Sequence, residues 1–267
     1  MRLRSILRIP ALGPLDDALA APTDAIALTL ADARHPVETL REAAVAAIPR
    51  IVESGKRAIV TVNHPRTQLL RADLAAVVVP GLGGVFLPHT VEPQDIRDLA
   101  VLLREFEYDR AIEPGEVLAF PVIDTARGLL RAAEIAHAAP RVAGLLFDAE
   151  GYAWDVGARA EERGERLAYP RSAVVAAARA HEKLPLVTSS GLELQFLFQH
   201  GFAGAVLVDA RHAANANQLF APGEFRLQRA KAEADAYDAA KAEGAWVARA
   251  AEHVIDAHTV RALRALE

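Results

Sequence analysis

Eight short apolar runs, each followed by a longer stretch of helical period, dominate this sequence and leave few folds open to it. The runs are RSILRIPA (4–11), DAIALTLADA (24–33), KRAIVTVNH (56–64), LGGVFLPHT (82–90), EVLAFPVIDT (116–125), RVAGLLFDAE (141–150), LPLVTSSG (184–191) and GFAGAVLVDA (201–210). Runs that are apolar at almost every position suit parallel strands buried on both faces. The intervening stretches are amphipathic. In DIRDLAVLLREF, Ile96, Leu99, Leu103 and Phe106 recur at i, i+3, i+4 spacing and present one face to a sheet. Eight strand–helix alternations in 267 residues match an α/β TIM (β/α)₈ barrel with extra C-terminal helices, since such barrels take ~250 residues. A doubly wound open sheet is the alternative, because periodicity does not distinguish closure from a free edge.

No linker rich in Gly, Ser and Pro interrupts the rhythm, so residues 1–267 read as a single TIM-barrel domain. Beyond the eighth run, about 222–267 read as a helical extension: one long helix, a break at Gly244, a turn around His253–Asp256 and a last helix. A barrel closes without such an appendage, so it either plugs its own barrel or contacts a neighbouring subunit. Both charge signs are dispersed around a net −5, without a basic or aromatic–basic stripe, which excludes nucleic acid as a partner. No stretch reaches the ~20 apolar residues that span a bilayer, and no signal peptide is readable, so no membrane partner is expected and the reading is cytoplasmic. Cysteine is absent, which excludes disulfides, thiolate catalysis and Cys-ligated metals.

In this barrel type the chemistry sits where strands end. Polar residues collect there: Thr29 and Asp32 after strand two, Asn63, His64 and Arg66 after strand three, and His89 after strand four. Asp124 follows strand five, Asp148 and Glu150 strand six, Thr188 to Ser190 strand seven, and Asp209 strand eight. Neighbouring strands lie ~4.8 Å apart, so Asp124 with Asp148 or Glu150 can converge on one hard cation such as Mg²⁺. Each acid can equally cap the helix that follows it, accepting backbone N–H bonds. His64 and His89 are either general bases or surface-loop histidines. HExxH, GxGxxG, GxxxxGK[ST] and GxSxG are all missing, which removes the support for zinc, nucleotide and serine-hydrolase chemistry.

These segments together resemble one family, the HpcH/HpaI aldolase and citrate lyase β-subunit group. RSILRIP resembles its opening strand, VTVNHP its Arg-Val-Asn-Pro strand and GVFLPHT its Val-Leu-Pro-Lys strand. VIDTARGLLRAAEIA resembles its Ile-Glu-Thr-Ala strand and helix, and RVAGLLFDAEGYAWDVGA its Phe-Gly-Ala-Glu-Asp-Leu stretch. AYPRSAVVAAARA, GFAGAVLVDARHAANANQLFAP and HVIDAHTVRAL follow in order. The resemblance implies a homotrimeric TIM barrel that makes or breaks C–C bonds in a small-molecule carboxylate or acyl-CoA thioester, with Mg²⁺ polarising the carbonyl. It places Arg4 in substrate binding, joined by Asn63 and Arg66 in a rebuilt site. It assigns metal ligation to Asp124 with Asp148 or Glu150, and proton transfer to Asp256, supplied in some members by a neighbouring subunit.

The departures from the family pattern are specific. Thr61 replaces the third-strand arginine, His89 the strand-four lysine, Asp124 the metal-binding Glu, and Gly151 the strand-six Asp. Thr29 and Ala31 replace two acids of strand two, and Ala205 and Asp209 the Lys and His of strand eight. Three readings follow. One is a lyase or aldolase with a rebuilt Mg²⁺ site. The second is a degenerate, non-catalytic member acting as a ligand-binding or scaffold protein. The third is metal-free chemistry with His64 or His89 as catalytic base.

Overall fold

A computed structural model describes residues 3–158, 167–221, 223–250 and 253–264. Each of the eight apolar runs contains one strand. They are β1 (Ser5–Pro10), β2 (Ala25–Thr29), β3 (Arg57–Thr61), β4 (Leu82–Leu87), β5 (Leu118–Ile123), β6 (Gly144–Phe147), β7 (Leu184–Ser189) and β8 (Gly204–Leu207). All pair in parallel, in sequence order, and β8 returns to β1 through Ser5↔Ala205, Ile6↔Val206 and Leu7↔Leu207. The sheet is therefore a closed (β/α)₈ barrel, and the open-sheet alternative is excluded.

The helices of this unit are α1 (Leu15–Ala20), α2 (Val37–Glu53), α3 (Leu70–Val77), α4 (Pro93–Asp109), α5 (Ala126–Leu130), α6 (Ala132–Ala136), α7 (Ala149–Asp155), α8 (Ala168–Ala180), α9 (Leu194–Gln199) and α10 (Ala213–Leu219). Strand residues alternate between two cores, because successive side chains on a strand face opposite sides. Ala25, Ala27, Ile59, Phe120 and Leu186 fill the barrel interior. Ile26, Leu28, Val60, Leu145 and Val187 pack outward under the helices. The four α4 residues expected to face the sheet, Ile96, Leu99, Leu103 and Phe106, are all buried.

At the seam, β8 begins with Gly204, where a Cβ would lie 1.9 Å from the Leu3 carbonyl oxygen. A side chain cannot fit without moving the backbone of the closing strand. Gly204→Ala is expected to cost about 1–3 kcal/mol, as overpacking does, with a lowered urea midpoint at unchanged slope.

The chain divides into two compact units, Met1–Phe220 and Ala221–Glu267. The second contains α11 (Glu224–Ala242), a pair of antiparallel strands β9 (Ala248–Ala250) and β10 (His253–Ile255), and α12 (Ala257–Arg264). It has its own core of Ala234, Tyr237, Ala248, Ile255 and Val260. The break at Gly244 is a left-handed residue (φ 84°). The strand pair takes the place of the expected turn at His253. Among the described residues no helix is long and apolar enough to cross a membrane.

Candidate functional site

Asp124 follows the last residue of β5 at the C-terminal mouth of the barrel, and only 4% of it is exposed. It does not cap the helix beyond it. Thr125 does, its Oγ1 accepting from Gly128 N at 3.0 Å. Asp124 Oδ2 accepts from the His89 backbone N at 3.0 Å and faces His89 Nδ1 at 2.8 Å. Oδ1 is buried without a hydrogen-bond partner. Burial pushes this carboxyl above its ordinary value and the neighbouring Asp148 charge pushes the same way, with His89 opposing both. A buried carboxylate with one orphaned oxygen and a second acid beside it is short of positive charge.

Asp148, at the end of β6, is the N-cap of α7, as a cap reading expects. Its Oδ1 accepts from Glu150 N at 3.2 Å and from Thr188 Oγ1 at 3.0 Å, and neither bond uses Oδ2. Between the two acids lies Gly151. A Cβ there would stand 2.9 Å from Asp124 Cβ and 3.6 Å from Asp148 Oδ2. Asp148 at the N-cap thus borders the space that a side chain at 151 would fill. Glu150 is exposed, and among the described residues no three or more His, Asp or Glu side chains are grouped to hold a metal ion. The expected set of Asp124, Asp148 and Glu150 reduces to a pair, Asp124 and Asp148. Two carboxylates with open oxygens suit Mg²⁺, which takes one or two such ligands and completes its shell with waters and substrate oxygens.

His89 stands in the left-handed region (φ 54°), a costly conformation outside glycine, with its side chain 72% exposed. With Nδ1 tied to Asp124, Nε2 is the ring nitrogen not committed to that carboxylate. His64 is not the surface histidine its His-Pro loop suggests. It is buried, its Nδ1 accepts from Arg66 N at 3.2 Å, and Nε2 sits 3.5 Å from Asp95 Oδ1. Burial holds the imidazole below its ordinary value, Asp95 opposing and Arg66 and His89 adding. Both its nitrogens face the protein, which withdraws His64 from proton transfer with substrate.

Asn63 is committed to structure. Its backbone N and Nδ2 both donate to Asp73 Oδ2 at 2.8 Å, and Arg41 Nε holds Oδ1 of the same buried carboxylate. Arg66 is mostly exposed and donates to Glu92 Oε1 at 2.9 Å. Glu92 Oε2 also meets Arg131 at 3.3 Å and Arg127 at 3.4 Å. Asp95 at 3.6 Å from Arg66 and Glu134 at 4.0 Å from Arg131 complete a network of three arginines and three acids that sequence reasoning missed. Its signal was present in ARGLLRAAEIA, where Arg127 and Arg131 are four apart and share a helix-like face.

Arg4 is elsewhere. It precedes β1, and its N, Nε and Nη2 all donate to Asp24 (2.8, 2.9 and 2.6 Å) at the N-terminal end of the barrel. In a parallel barrel that end is opposite the mouth, so the expected substrate role for Arg4 is corrected to a strand anchor. Asp32 and Asp209 form local pairs with Arg34 and Arg211, whose guanidiniums hold both carboxyls down to about 2. Asp256, in the second unit, caps α12, accepting from Thr259 N and Oγ1 at 2.8 Å each, which holds it below its ordinary value.

The family model for HpcH/HpaI aldolase/citrate lyase matches residues 15–216. The citrate lyase β subunit of Escherichia coli K12 is 28% identical over 257 residues, 91% of this chain and 85% of that protein. A (3S)-malyl-CoA thioesterase of Cereibacter sphaeroides is 28% identical over 263 residues, covering 92% and 86%. The structure of protein CitE from Mycobacterium tuberculosis in complex with magnesium, acetoacetate and coenzyme A has the same fold, with a TM-score of 0.64 and 21% identity. It spans 98% of this chain and 96% of that one.

Proposed function

This chain belongs to the HpcH/HpaI aldolase/citrate lyase family, and from that we propose that it is a Mg²⁺-assisted carbon–carbon lyase or aldolase of the citrate lyase β-subunit type. The substrate class is a small carboxylic acid or its acyl-CoA thioester. One observation carries the reading: Asp124 Oδ1 is buried and unpartnered, and glycine at 151, where a Cβ would stand 2.9 Å from Asp124 Cβ and 3.6 Å from Asp148 Oδ2, keeps a side chain from between the two acids. Asp124 and Asp148 are the residues that would hold Mg²⁺. When bound, the cation supplies Lewis-acid polarisation of a substrate carbonyl.

The chain's own residues supply the rest. His89 fixes the Asp124 carboxylate through its backbone N and Nδ1, and Thr188 fixes Asp148. Ligating carboxylates held in this way lose little freedom on metal binding. His89 Nε2 is the group placed to move a proton at the mouth. Arg66, Arg127 and Arg131 stand on the mouth rim with guanidiniums more than a third exposed, able to contact an anionic substrate although Glu92, Asp95 and Glu134 match their charge. The relatives support this class: a malyl-CoA thioesterase is among them, and the Mycobacterium tuberculosis protein holds magnesium, acetoacetate and coenzyme A. Assembly as a cytoplasmic homotrimer belongs to the same proposal, with Asp256 of a neighbouring copy as an ionised proton acceptor. Exposed Leu130, Trp154, Leu192 and Val208, all following strand ends, supply apolar surface for such a contact.

The test is thermal unfolding with Mg²⁺ and oxaloacetate, singly and together, followed by assay of malyl-CoA cleavage. A shift requiring both is expected, ~2.7 kcal/mol at a hundredfold excess over Kd, and lost in Asp148→Asn. Absence of any shift overturns the site. A shift without turnover of any acyl-CoA favours the non-catalytic reading, which Thr61 in place of an arginine supports.

A further inference from the structure

The barrel end opposite the mouth carries a second cleft that the proposed reaction does not use. Its walls come from the segments entering β2, β3, β4 and β5, and its volume is about 540 Å³. That lies within the 300–1,000 Å³ of small-molecule sites. Two cations line it, side by side in sequence. Among the described residues neither Lys56 nor Arg57 has a carboxylate partner. Lys56 Nζ makes one bond, to the Leu19 carbonyl at 2.8 Å, and so keeps two donors. Arg57 Nη1 makes one long contact, to the Gly83 carbonyl at 3.4 Å. Both side chains are half-buried.

The local chain is shaped around the guanidinium. A Cβ at Gly83 would lie 2.4 Å from Arg57 Cγ, so glycine is what lets this side chain lie across the start of β4. Thr23, also on the wall, has its hydroxyl buried with no hydrogen-bond partner. The acids do not balance the charge. Asp24 spends both carboxylate oxygens on Arg4, and Glu116 is exposed with no ion pair among the described residues. Two half-buried cations that each reach only a backbone carbonyl, and an orphaned hydroxyl, leave positive charge and donors in excess, which is costly unless an anion takes them up.

We propose that this cleft is a binding site for a phosphomonoester, its phosphoryl oxygens accepting from Arg57, Lys56 and Thr23. A tetrahedral dianion can accept from donors on two of the loops that line the cleft, and the guanidinium fork suits it best. The cleft exceeds the size of one ion, so the organic part of the ester occupies the remainder, toward Val52 and Leu82. Because the site is at the far end of the barrel, it stands or falls independently of the Mg²⁺ reading.

Calorimetric titration of the full chain with inorganic phosphate and with glycerol 3-phosphate, at fixed ionic strength, tests the proposal. The expected result is saturable binding of one equivalent, with the ester at least as tight as phosphate. Arg57→Gln should weaken it by about tenfold or more, as loss of a charge-assisted partner does. Glu116→Gln, an exposed change that leaves folding intact, should tighten it by removing the competing acid. Arg127→Gln, on the mouth rim, should leave it unchanged. Absent or non-saturable heat overturns the proposal. So do retained affinity in Arg57→Gln with no gain in Glu116→Gln, and loss of binding in Arg127→Gln, which would move the anion to the mouth.

Discussion

Glu107→Ala is expected to lower the stability of the barrel by about 3–5 kcal/mol, the range for removing one partner of a buried ion pair. Glu107 is fully buried near the end of α4. Oε1 accepts from Val117 N and Arg141 Nη1, both at 2.9 Å. Oε2 accepts from Gly115 N at 3.0 Å and Arg141 Nη2 at 2.8 Å. One carboxylate therefore ties a helix to the segments entering β5 and β6. Its loss strands a nearly buried guanidinium and two backbone N–H groups together. Urea unfolding should show a lower midpoint at unchanged slope. Replacing both partners by methionine should cost far less, because no charge is then left unpaired. The pH dependence has a definite sign. Burial alone would push the Glu107 carboxyl up, but Arg141 and the Gly115 and Val117 amides outweigh it and hold it below its ordinary 4.5. The contribution is thus complete above 4.5 and fades as pH falls through the lower native value. Wild type and Glu107→Ala should accordingly converge in acid.

Asp124→Asn should separate stability from ligand binding. The amide oxygen can still accept from His89 N, while the new N–H₂ can donate toward Asp148, whose Oδ2 and the Asp124 Cβ both lie close to Gly151. A buried negative charge beside another disappears. The unliganded protein is expected to gain about 1 kcal/mol, the net worth of one satisfied hydrogen bond. Mg²⁺ affinity should fall by at least about a hundredfold, since even residues outside the ligand shell cost 10–100-fold. The ~2.7 kcal/mol stabilisation by Mg²⁺ plus oxaloacetate at a hundredfold excess should vanish with it. A variant that is less stable and still shows the ligand shift would contradict both halves. Gains in stability on removing a functional charge are the usual mark of a site strained for activity.

The barrel was legible because parallel strands buried on both faces leave unbroken apolar runs, such as AIALT in β2 and AIV in β3. Strand-end acids were legible for the same reason, since a charge stands out at the end of an apolar run. What each acid touches was not. His89 meets Asp124 from 35 positions away, and Glu107 meets Arg141 from 34, so neither pairing leaves a local pattern. Asp73 and Glu107 sit on amphipathic helices among ordinary solvated charges, and only the fold shows them buried. A substrate role for Arg4, which the family resemblance implies, needs the mouth, whereas its position at the start of a run puts it at the opposite end. The β9–β10 pair escaped notice because three-residue strands are too short to display a period of two.

The pairing of Ser5 with Ala205 has a consequence for biosynthesis. β2 joins one side of β1 soon after both emerge, but the partner for the other side is encoded roughly 200 residues later. At translation rates of ~5–20 residues per second that strand waits on the order of 10–40 s. For that interval the nascent chain is an open sheet whose first strand offers unpaired N–H and C=O groups beside Ile6 and Leu7, a template for pairing with the wrong chain. The ring is completed by a single late, long-range event, and crowding of several nascent chains on one message is the circumstance in which this fold is most exposed to error.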